Sequence, residues 1–434
     1  MLNRILSRGG GHLLAAVTVV IAGQLATVSA ASASEQNPLP AGTRFYTPAP
    51  THDAVRQIAE LTSNGDKADA ALIRAEVRTP QAVWFTGGTP KQVQQQVRQV
   101  AQQAAGKKTV PTLVIYNVPG RDCSQYSSGG AGSDAAYRAW VDGVAAGLAK
   151  DQRVIVIVEP DGLANLPSDC PAAYPGQDVA ALTAGRIADI RYAGAAIRQA
   201  DPRALVYLDA GHSAWHSVGD IASRLEQAGV NDVQGFSLNV SNYQYTANLE
   251  QYGTWVSECI AYTTTVNPGD FGGCGNQYWS GGPANNWTGV ALDPNGEWSD
   301  TAADPALNTA GINSRYASIL AGTAPTAHFV IDTSRNGRGP WTPTASYPDP
   351  QTWCNPPGRG LGARPEAAPQ PAAYPLLDAY LWIKTPGQSD GQCNRGVPGS
   401  TVDPEWGGIT DPAAGAWFGE QALELAQLAV PPLN

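Results

Sequence analysis

The sequence is poor in long apolar runs. The run that stands out, residues 13–22, follows two arginines and precedes an Ala-Ser-Ala triplet within the first 33 residues. This order is typical of a secretory signal, and the run is too short to span a bilayer. We therefore predict a signal peptide over residues 1–33 and a secreted, soluble protein that has no membrane partner after signal cleavage.

Basic residues are also scarce. The chain contains 27 Lys and Arg against 37 Asp and Glu, which gives a formal net charge of −10. The predicted signal carries Arg4 and Arg8 and no acidic residue, so its removal changes the charge from −10 to −12. Nucleic acids and anionic membranes repel an acidic surface, and we expect neither as a partner.

A linker rich in Ser, Thr and Pro is missing, so we predict a single domain over residues 34–434. Neither a CxxC motif nor a Cys/His cluster indicates a structural zinc site. His212 and His216 have the i, i+4 spacing of a metal pair, but no acidic third ligand has matching spacing in the same turn. We therefore expect no metal and no cofactor. The six Cys are even in number, which fits an oxidising compartment.

Phenylalanine is rare, with 6 residues against 12 Trp and 16 Tyr. Trp and Tyr have a polar edge and suit surfaces that are both flat and wet, such as those that stack on sugar rings. The alternative for each Trp is packing in the core. Trp215 and Trp353 lie in polar, Gly-rich surroundings, which favours exposure.

What the sequence does contain is a run of five β-branched residues at 154–158, followed by Glu159, Pro160 and Asp161. Such a run, without alternation, is typical of a strand buried on both faces of a parallel sheet. Pro160 cannot continue the ladder, so Asp161 falls in the loop at the carboxyl end of the strand. Catalytic side chains collect at that end in barrels of parallel strands.

The same order of apolar strand and carboxylate recurs at Asp122, Asp209 and Asp390. A single Asp at such a place is more simply explained as a turn or helix-capping residue. Four carboxylates at four strand ends can converge on one cleft. We therefore interpret the set as catalytic.

Strands alternate with helices along the chain, which predicts an α/β fold with a parallel sheet. The predicted strands are residues 82–85, 112–118, 154–158, 204–209, 234–240, 328–331 and 380–384, with an irregular region over 334–375 and a closing helix over 412–428. We therefore predict a distorted, incomplete (seven-strand) parallel β/α barrel with an open active-site cleft. Residues 250–305, rich in Gly, Asn, Trp and Pro, interrupt this rhythm and are predicted to form an insertion.

Several blocks of the sequence resemble a known family. They are LVIYNVPGRDCSQYSSGGAG and VIVIVEPDGLANL, followed by LDAGHSAW, LNVSNY, IDTSRNGRGP, WCNPPGRGLG and WIKTPGQSDG. Their sequence and order resemble glycoside hydrolase family 6, a family of cellulases, over residues 44–425 apart from the insertion. The resemblance implies hydrolysis of β-1,4 bonds of cellulose, with inversion at the anomeric carbon, in a distorted βα barrel.

Such chemistry requires a protonated carboxyl that donates to the leaving oxygen and an ionised carboxylate that activates water. A hydrophobic setting or a neighbouring carboxylate raises the pKa of the acid. The resemblance places the family's general acid on Asp161, with Asp122 assisting it through charge repulsion. We expect Arg121 to donate hydrogen bonds to Asp122.

Other site residues are implied by the same resemblance. Asp390 matches the position proposed as base or charge stabiliser, and the carboxylate that takes the proton from water stays open. Ser128 matches a Ser linked to the water chain, and Asp209 matches a carboxylate that contributes to binding and field. The remaining implied substrate contacts are Tyr116 at the cleavage point, the stacking residues Trp84, Trp215 and Trp353, and the hydrogen-bonding residues His212, Asn242 and Lys384.

One position departs from the family pattern. Gln388 stands where the family commonly has Glu, two residues before Asp390. Gln still hydrogen-bonds a sugar hydroxyl but adds no charge. We expect an effect on substrate affinity and pH optimum rather than on the reaction class.

The resemblance also implies two disulfides, Cys123–Cys170 and Cys354–Cys393. The pair that remains, Cys259 and Cys274, is close in sequence, and we predict that it forms the third bridge.

Short loops around the two implied bridges predict an open groove and therefore an enzyme that cuts cellulose internally. We also expect a monomer. An exo-acting cellobiohydrolase is the alternative if aromatic residues of the insertion, Tyr278, Trp279, Trp287 and Trp298, fold over one end of the cleft. An unrelated barrel enzyme acting on another glucan remains open. A non-catalytic carbohydrate-binding protein is a more distant alternative, because the three predicted catalytic carboxylates are all present.

Overall fold

The computed structural model describes residues 38–150, 152–279 and 289–433. The predicted signal peptide, residues 1–33, and Trp287 of the predicted insertion lie outside the described residues. Among the helices of the described ranges, none is both long and apolar enough to cross a membrane.

Eight strands of the described chain form one sheet in the order β1-β2-β3-β4-β5-β6-β8-β7. Every neighbouring pair is parallel except β7 and β8, which are antiparallel. The strands are β1 (Val83–Phe85), β2 (Thr112–Ile115), β3 (Val154–Val158), β4 (Ala204–Asp209), β5 (Gly235–Leu238), β6 (His328–Asp332), β7 (Glu366–Ala367) and β8 (Leu377–Leu381).

Helices separate most of the strands along the chain. The helix Pro90–Lys107 begins with a capping box. The Thr89 hydroxyl accepts from the Gln92 N–H, and the Gln92 side chain accepts from the Thr89 N–H. The helices are α1 (His52–Asn64), α2 (Lys67–Arg78), α3 (Pro90–Lys107), α4 (Asp134–Gly147), α5 (Val179–Ala200), α6 (Val218–Gln227), α7 (Thr246–Ala261), α8 (Ala310–Ile319) and α9 (Gly419–Gln427).

Strand β3 is buried on both faces, as its continuous apolar run predicts. Its three valines belong to the core between the sheet and the helices. Ile155 and Ile157, on the opposite face, belong to a second, inner core that also contains Tyr116 and Tyr207. Alternate residues of a strand point to opposite faces, so the sheet separates two apolar layers.

The first and last long strands of the sheet approach each other. The Ala82 N–H, just before β1, donates to the Trp382 carbonyl, just after β8, over 2.9 Å. The indole N–H of Trp84 donates to the Ile383 carbonyl over 2.8 Å. The sheet therefore curls into a partial barrel whose seam lies between β1 and β8.

The structure corrects several element predictions. The irregular region contains an additional short strand, β7, and α2 was not predicted. The strand β8 ends at Leu381, and the N–H groups of Ile383 and Lys384 donate to the Asp332 carboxylate instead of to a neighbouring strand. The closing helix begins at Gly419, because Trp417 first pairs with Gln388. The segment predicted as an insertion begins inside α7.

All three predicted disulfides are confirmed: Cys123–Cys170, Cys259–Cys274 and Cys354–Cys393. The first and third tie down the loops that carry Asp122 and Asp390. The second joins the end of α7 to the segment that follows it.

We predict that Gly235→Ala lowers the free energy of unfolding by about 3 kcal/mol. Gly235 has φ +155°, and an added Cβ would lie 1.8 Å from the His328 carbonyl oxygen of the paired strand. Gly106→Ala is the control, because a Cβ there meets nothing within 4 Å and φ is ordinary; it should raise stability by up to about 1 kcal/mol. Denaturant unfolding measures both, and equal effects would contradict the prediction.

Candidate active site

The carboxyl ends of the parallel strands surround a cavity of about 550 Å³. Most of the site residues predicted from the sequence line it: Asp122, Asp161, Asp390, Trp84, Tyr116, His212, Trp215, Asn242, Trp353 and Lys384. The predicted residues Ser128, Asp209 and Gln388 lie outside this lining. One cavity thus brings together three carboxylates and several aromatic rings.

Asp161 reaches the cavity from the turn after β3. Its backbone is in the left-handed region, with φ +63°, and its Oδ1 atom is buried without a hydrogen-bond partner in the described chain. Desolvation raises the pKa of Asp161 well above its ordinary range, and the charges of Asp209, Asp122 and Asp390 raise it further against the opposing charge of Lys384. Asp161 therefore retains a proton at pH values where an ordinary Asp is ionised.

Asp209 lies behind Asp161, at the end of β4. Its Oδ1 atom accepts from the N–H groups of Asp161, at 2.8 Å, and Gly211, at 3.1 Å, and its Oδ2 atom accepts from the Ser237 hydroxyl at 3.0 Å. Burial raises the pKa of Asp209 to about 7, although these hydrogen bonds lower it. Asp209 therefore holds the Asp161 backbone and acts on its carboxyl by charge.

Asp122 approaches the cavity from the other side, in a turn closed by the Cys123–Cys170 bridge. Its Oδ2 atom accepts from the Ser127 N–H at 2.6 Å. Burial raises the pKa of Asp122 to about 6, although the Ser127 hydrogen bond and the Arg121 charge lower it. Because this hydrogen bond folds the turn inward at Ser127, Ser127 lines the cavity, whereas the predicted Ser128 is exposed.

The expectation that Arg121 donates to Asp122 is wrong. Its guanidinium donates to the carbonyl groups of Ser127, Thr86 and Tyr116 and lies over the Tyr116 ring, 4.5 Å from the centroid. Arg121 therefore fixes the loop and the ring, and it acts on Asp122 through charge.

Asp390 is surrounded by donors. Its carboxylate accepts from both terminal nitrogens of Arg335, each at 3.0 Å, and from Lys384 Nζ at 3.1 Å. The Tyr243 hydroxyl and the Asn355 N–H add further hydrogen bonds. Burial raises the pKa of Asp390, but the charges of Arg335 and Lys384 outweigh burial, so the pKa is lowered. Asp390 is therefore a fixed negative charge.

Aromatic side chains form the cavity walls. Trp84 packs edge-on against Tyr116, with ring centroids 5.7 Å apart, on one side. Trp215 packs against His212 at 5.4 Å, and Trp353 packs against Tyr126 at 6.0 Å. Such an arrangement gives flat apolar surfaces beside charged groups, which suits a sugar chain.

The two histidines do not form a metal pair. Desolvation lowers the pKa of His212 to about 3, so its ring is neutral, and its Nδ1 atom accepts from the Ala214 N–H. His216 engages both ring nitrogens, one with Asp220 and one with the Ala164 carbonyl.

Another group of potential metal ligands in the described chain is Cys393, Asp403 and Asp411. Cys393 is bound in a disulfide, and Asp403 is paired with Arg395. This group is therefore not suited to a metal ion.

Sequence reasoning missed several residues that build the site. Glu159, in the second family block, is fully buried, and its carboxylate accepts from the N–H groups of Asn117 and Val118 and from the Tyr137 hydroxyl. Trp341 also lines the cavity. It directly follows the family block IDTSRNGRGP in the sequence, and this position could have indicated it as a site residue.

The predicted insertion contributes to the rim. Pro294 and Asn295 line the cavity. Tyr278 is exposed, and its hydroxyl donates to the Trp215 carbonyl over 3.0 Å. Trp298, in contrast, is buried and stacks on Trp255. Of the aromatic residues considered as a cover for the cleft, Trp298 therefore belongs to the core.

Comparison with known proteins gives a direct match. The sequence profile of "Glycosyl hydrolases family 6" matches residues 40–429. The chain belongs to glycosyl hydrolases family 6. This membership confirms the resemblance found in the sequence and agrees with the curled, mostly parallel sheet.

Curated members of the family are similar to this chain. Endoglucanase A of Cellulomonas fimi is 34% identical over 83% of this chain and 57% of its own length, and endoglucanase A of Thermobispora bispora is 30% identical over 88% of this chain and 62% of its own length. The chain thus spans about three fifths of these two relatives.

A solved structure shares both sequence and fold. The endoglucanase Cel6 from Mycobacterium tuberculosis, in complex with methyl-cellobiosyl-4-deoxy-4-thio-β-D-cellobioside, is 32% identical. The similarity covers 90% of this chain and 99% of that one, with a TM-score of 0.61.

We predict that Asp209→Asn lowers the pKa of Asp161. The substitution keeps an oxygen that accepts the Asp161 N–H but removes the negative charge that disfavours Asp161 ionisation. Ser237→Ala is the matched control: it removes a hydrogen bond to Asp209 without removing the charge, so it should raise the pKa of Asp209 instead. Carboxyl ¹³C titration by NMR measures both. An unchanged Asp161 titration in Asp209→Asn would contradict the charge coupling.

Proposed function

We propose that this protein is a secreted, monomeric endo-1,4-β-glucanase that hydrolyses internal bonds of cellulose with inversion. The observation that carries the proposal is the Asp161 carboxyl, which is desolvated and lies on a cavity walled by aromatic rings, and whose Oδ1 atom has no hydrogen-bond partner among the described residues. Family membership and the endoglucanase relatives support the same activity.

Asp161 is the general acid in this mechanism. Its raised pKa supplies a protonated carboxyl near the working pH, which a general acid requires. The carboxyl donates its proton to the glycosidic oxygen as the bond to the anomeric carbon breaks, and water attacks from the opposite face of the sugar.

Asp122 suits proton transfer from water better than Asp390 does. The pKa of Asp122, raised to about 6, is close to a working pH, whereas the lowered pKa of Asp390 makes it a weak proton acceptor. Asp390 instead stays ionised, holds Lys384 and Arg335 in place and contributes a fixed field. Trp84, Tyr116, Trp215 and Trp353 position the glucan chain along the cavity.

The three disulfides support export, because such bridges persist in oxidising compartments. Internal cutting is supported by the endoglucanase relatives and by the burial of Trp298, which leaves fewer aromatic residues of the insertion to roof the groove. A cellobiohydrolase of the same family is the second candidate, favoured by the position of Pro294 and Asn295 on the cavity rim.

Asp161→Asn should reduce hydrolysis of cellulose by about 10²–10⁴-fold. It should spare aryl cellobiosides with a good leaving group, because such a group needs little protonation. Asp66→Asn is the matched control, since Asp66 is exposed, makes no capping hydrogen bond and lies outside the cavity. Initial rates on both substrates measure the effect. Equal losses on the two substrates would show that Asp161 is not the acid.

Internal cutting predicts a steep fall in the viscosity of carboxymethylcellulose for few bonds broken. An open groove admits the middle of a chain, whereas a tunnel admits only its ends. Viscosity is measured against reducing ends released. A slow fall in viscosity that tracks released cellobiose would support the exo-acting candidate. No release of reducing ends at any pH would show that the protein binds carbohydrate without hydrolysing it.

A further inference from the structure

A buried polar layer lies behind Asp390, away from the cavity. Its main members are Asn355, which is fully buried, and Asp411, which is 1% exposed. Neither residue lines the cavity, and neither belongs to the site residues assigned above. They join Asp390 to a second buried ion pair, Arg395 with Asp403.

Asn355 contacts Asp390 twice. The Asp390 N–H donates to the Asn355 side-chain oxygen over 2.8 Å, and the Asn355 N–H donates to the Asp390 Oδ2 atom over 3.0 Å. Asn355 adopts a left-handed backbone with φ +40°, which Asn tolerates better than most residues do. One residue therefore fixes both the backbone and the carboxylate of Asp390.

Asp411 fixes the orientation of the Asn355 amide. The Asn355 Nδ2 group donates to Asp411 Oδ2 over 2.8 Å, and it also reaches the Gly391 carbonyl and the Ser389 hydroxyl, each at 3.0 Å. Acceptors on this side keep the amide nitrogen away from Asp390. The amide oxygen is therefore left facing the Asp390 N–H.

We propose that Asn355 and Asp411 are positioning residues for Asp390: Asp411 orients the Asn355 amide, and Asn355 holds the Asp390 carboxylate against Arg335 and Lys384. The proposal rests on the proposed function, because it assigns Asp390 a part in glucan hydrolysis. Asp411 does not line the cavity, so it acts on the reaction through Asn355 and Asp390.

The charges around Asp411 make this layer sensitive to pH. The charged groups that face Asp411 are Asp403 and Arg395; Cys393 is in a disulfide, and Gln421, which reaches Asn355 from α9, is uncharged. Burial raises the pKa of Asp411 to about 7; the Asn355 hydrogen bond lowers it, Asp403 raises it and Arg395 lowers it. A carboxyl–carboxyl hydrogen bond with Asp403 favours the protonated form of Asp411, and no donor in the described chain reaches the Asp411 Oδ1 atom.

The raised pKa of Asp411 determines how stability changes with pH. A carboxyl whose folded pKa is raised favours the folded state most below its ordinary pKa, near 4, and this contribution is lost as pH rises through about 7. Ionised Asp411 places a second buried negative charge beside Asp403, and no donor among the described residues reaches its Oδ1 atom. The hydrogen bond between Asn355 and Asp411 should therefore become weaker above neutral pH. The hydrogen bonds between Asn355 and Asp390 should become weaker with it.

The test compares Asp411→Asn with Asp411→Ala in kcat on cellotetraose from pH 4 to 9. Asp411→Asn keeps an oxygen that accepts from Asn355, so kcat of this variant at pH 5 should stay within about 3-fold of wild type. Because the Asn side chain cannot ionise, kcat of the variant should fall less steeply with rising pH than kcat of wild type. Asp411→Ala removes the acceptor, so kcat should fall by up to about 10²-fold with little change in KM. Glu258→Gln is the control, because Glu258 has a pKa raised to about 8 by burial but lies on α7, outside the layer.

An independent readout separates this inference from the proposed function. The ¹⁵N–¹H resonance of Asp390 reports its hydrogen bond to Asn355 and needs no activity. It should shift with pH near 7 in wild type and less in Asp411→Asn. Superimposable pH profiles and superimposable Asp390 resonances in the two proteins would overturn the inference. Wild-type protein inactive on every β-1,4-glucan would instead overturn the proposed function, and the resonance would still decide the positioning role.

Discussion

Buried carboxylates organise the carboxyl end of this barrel, because they accept backbone N–H groups that the parallel ladders leave unpaired. Glu159 accepts two such groups after β2, and Asp209 accepts two, from the turn after β3 and from the segment after β4. Asp332 accepts four, from Ser241, Ser334, Ile383 and Lys384. The strand ends are thus held by side chains of neighbouring strands, and the loops that carry the cavity residues begin from fixed points.

The same burial produces the electrostatics of the site. A carboxylate removed from water is disfavoured as an ion, so the pKa values of Asp161, Asp209 and Glu159 are all raised. Hydrogen bonds from backbone groups reduce this effect at Asp209 and Glu159, whereas the Oδ1 atom of Asp161 receives none from the part of the chain that the structure describes. Of these three residues, Asp161 is the one that lines the cavity. Asp209 and Glu159 use their carboxylates to hold the backbone, whereas Asp161 can donate its proton.

The sequence could predict seven of the eight strands and the carboxylates at their ends, because apolar runs and the carboxylates that follow them are local signals. The resemblance to the family, rather than such local signals, indicated seven further residues that line the cavity. The sequence could not predict β7, whose two residues carry no periodicity, or the end of β8, after which N–H groups donate to the distant Asp332. The choice between Ser127 and Ser128 depends on which N–H the Asp122 carboxylate accepts, and residue types do not encode that choice. Burial of Trp298 likewise depends on Trp255, 43 positions earlier in the numbering.

Asp161 and Asp390 show how one fold gives two carboxyls opposite character. Both are removed from water, and burial alone would raise the pKa of each. The difference lies in the cations: Arg335 and Lys384 contact Asp390, whereas Asp161 faces three other carboxylates. Arg335 belongs to the region that the sequence marks as irregular. The strands therefore determine where the carboxyls lie. Arg335, from a long connection, and Lys384, just after β8, keep Asp390 ionised, whereas burial and the neighbouring carboxylates keep the proton on Asp161.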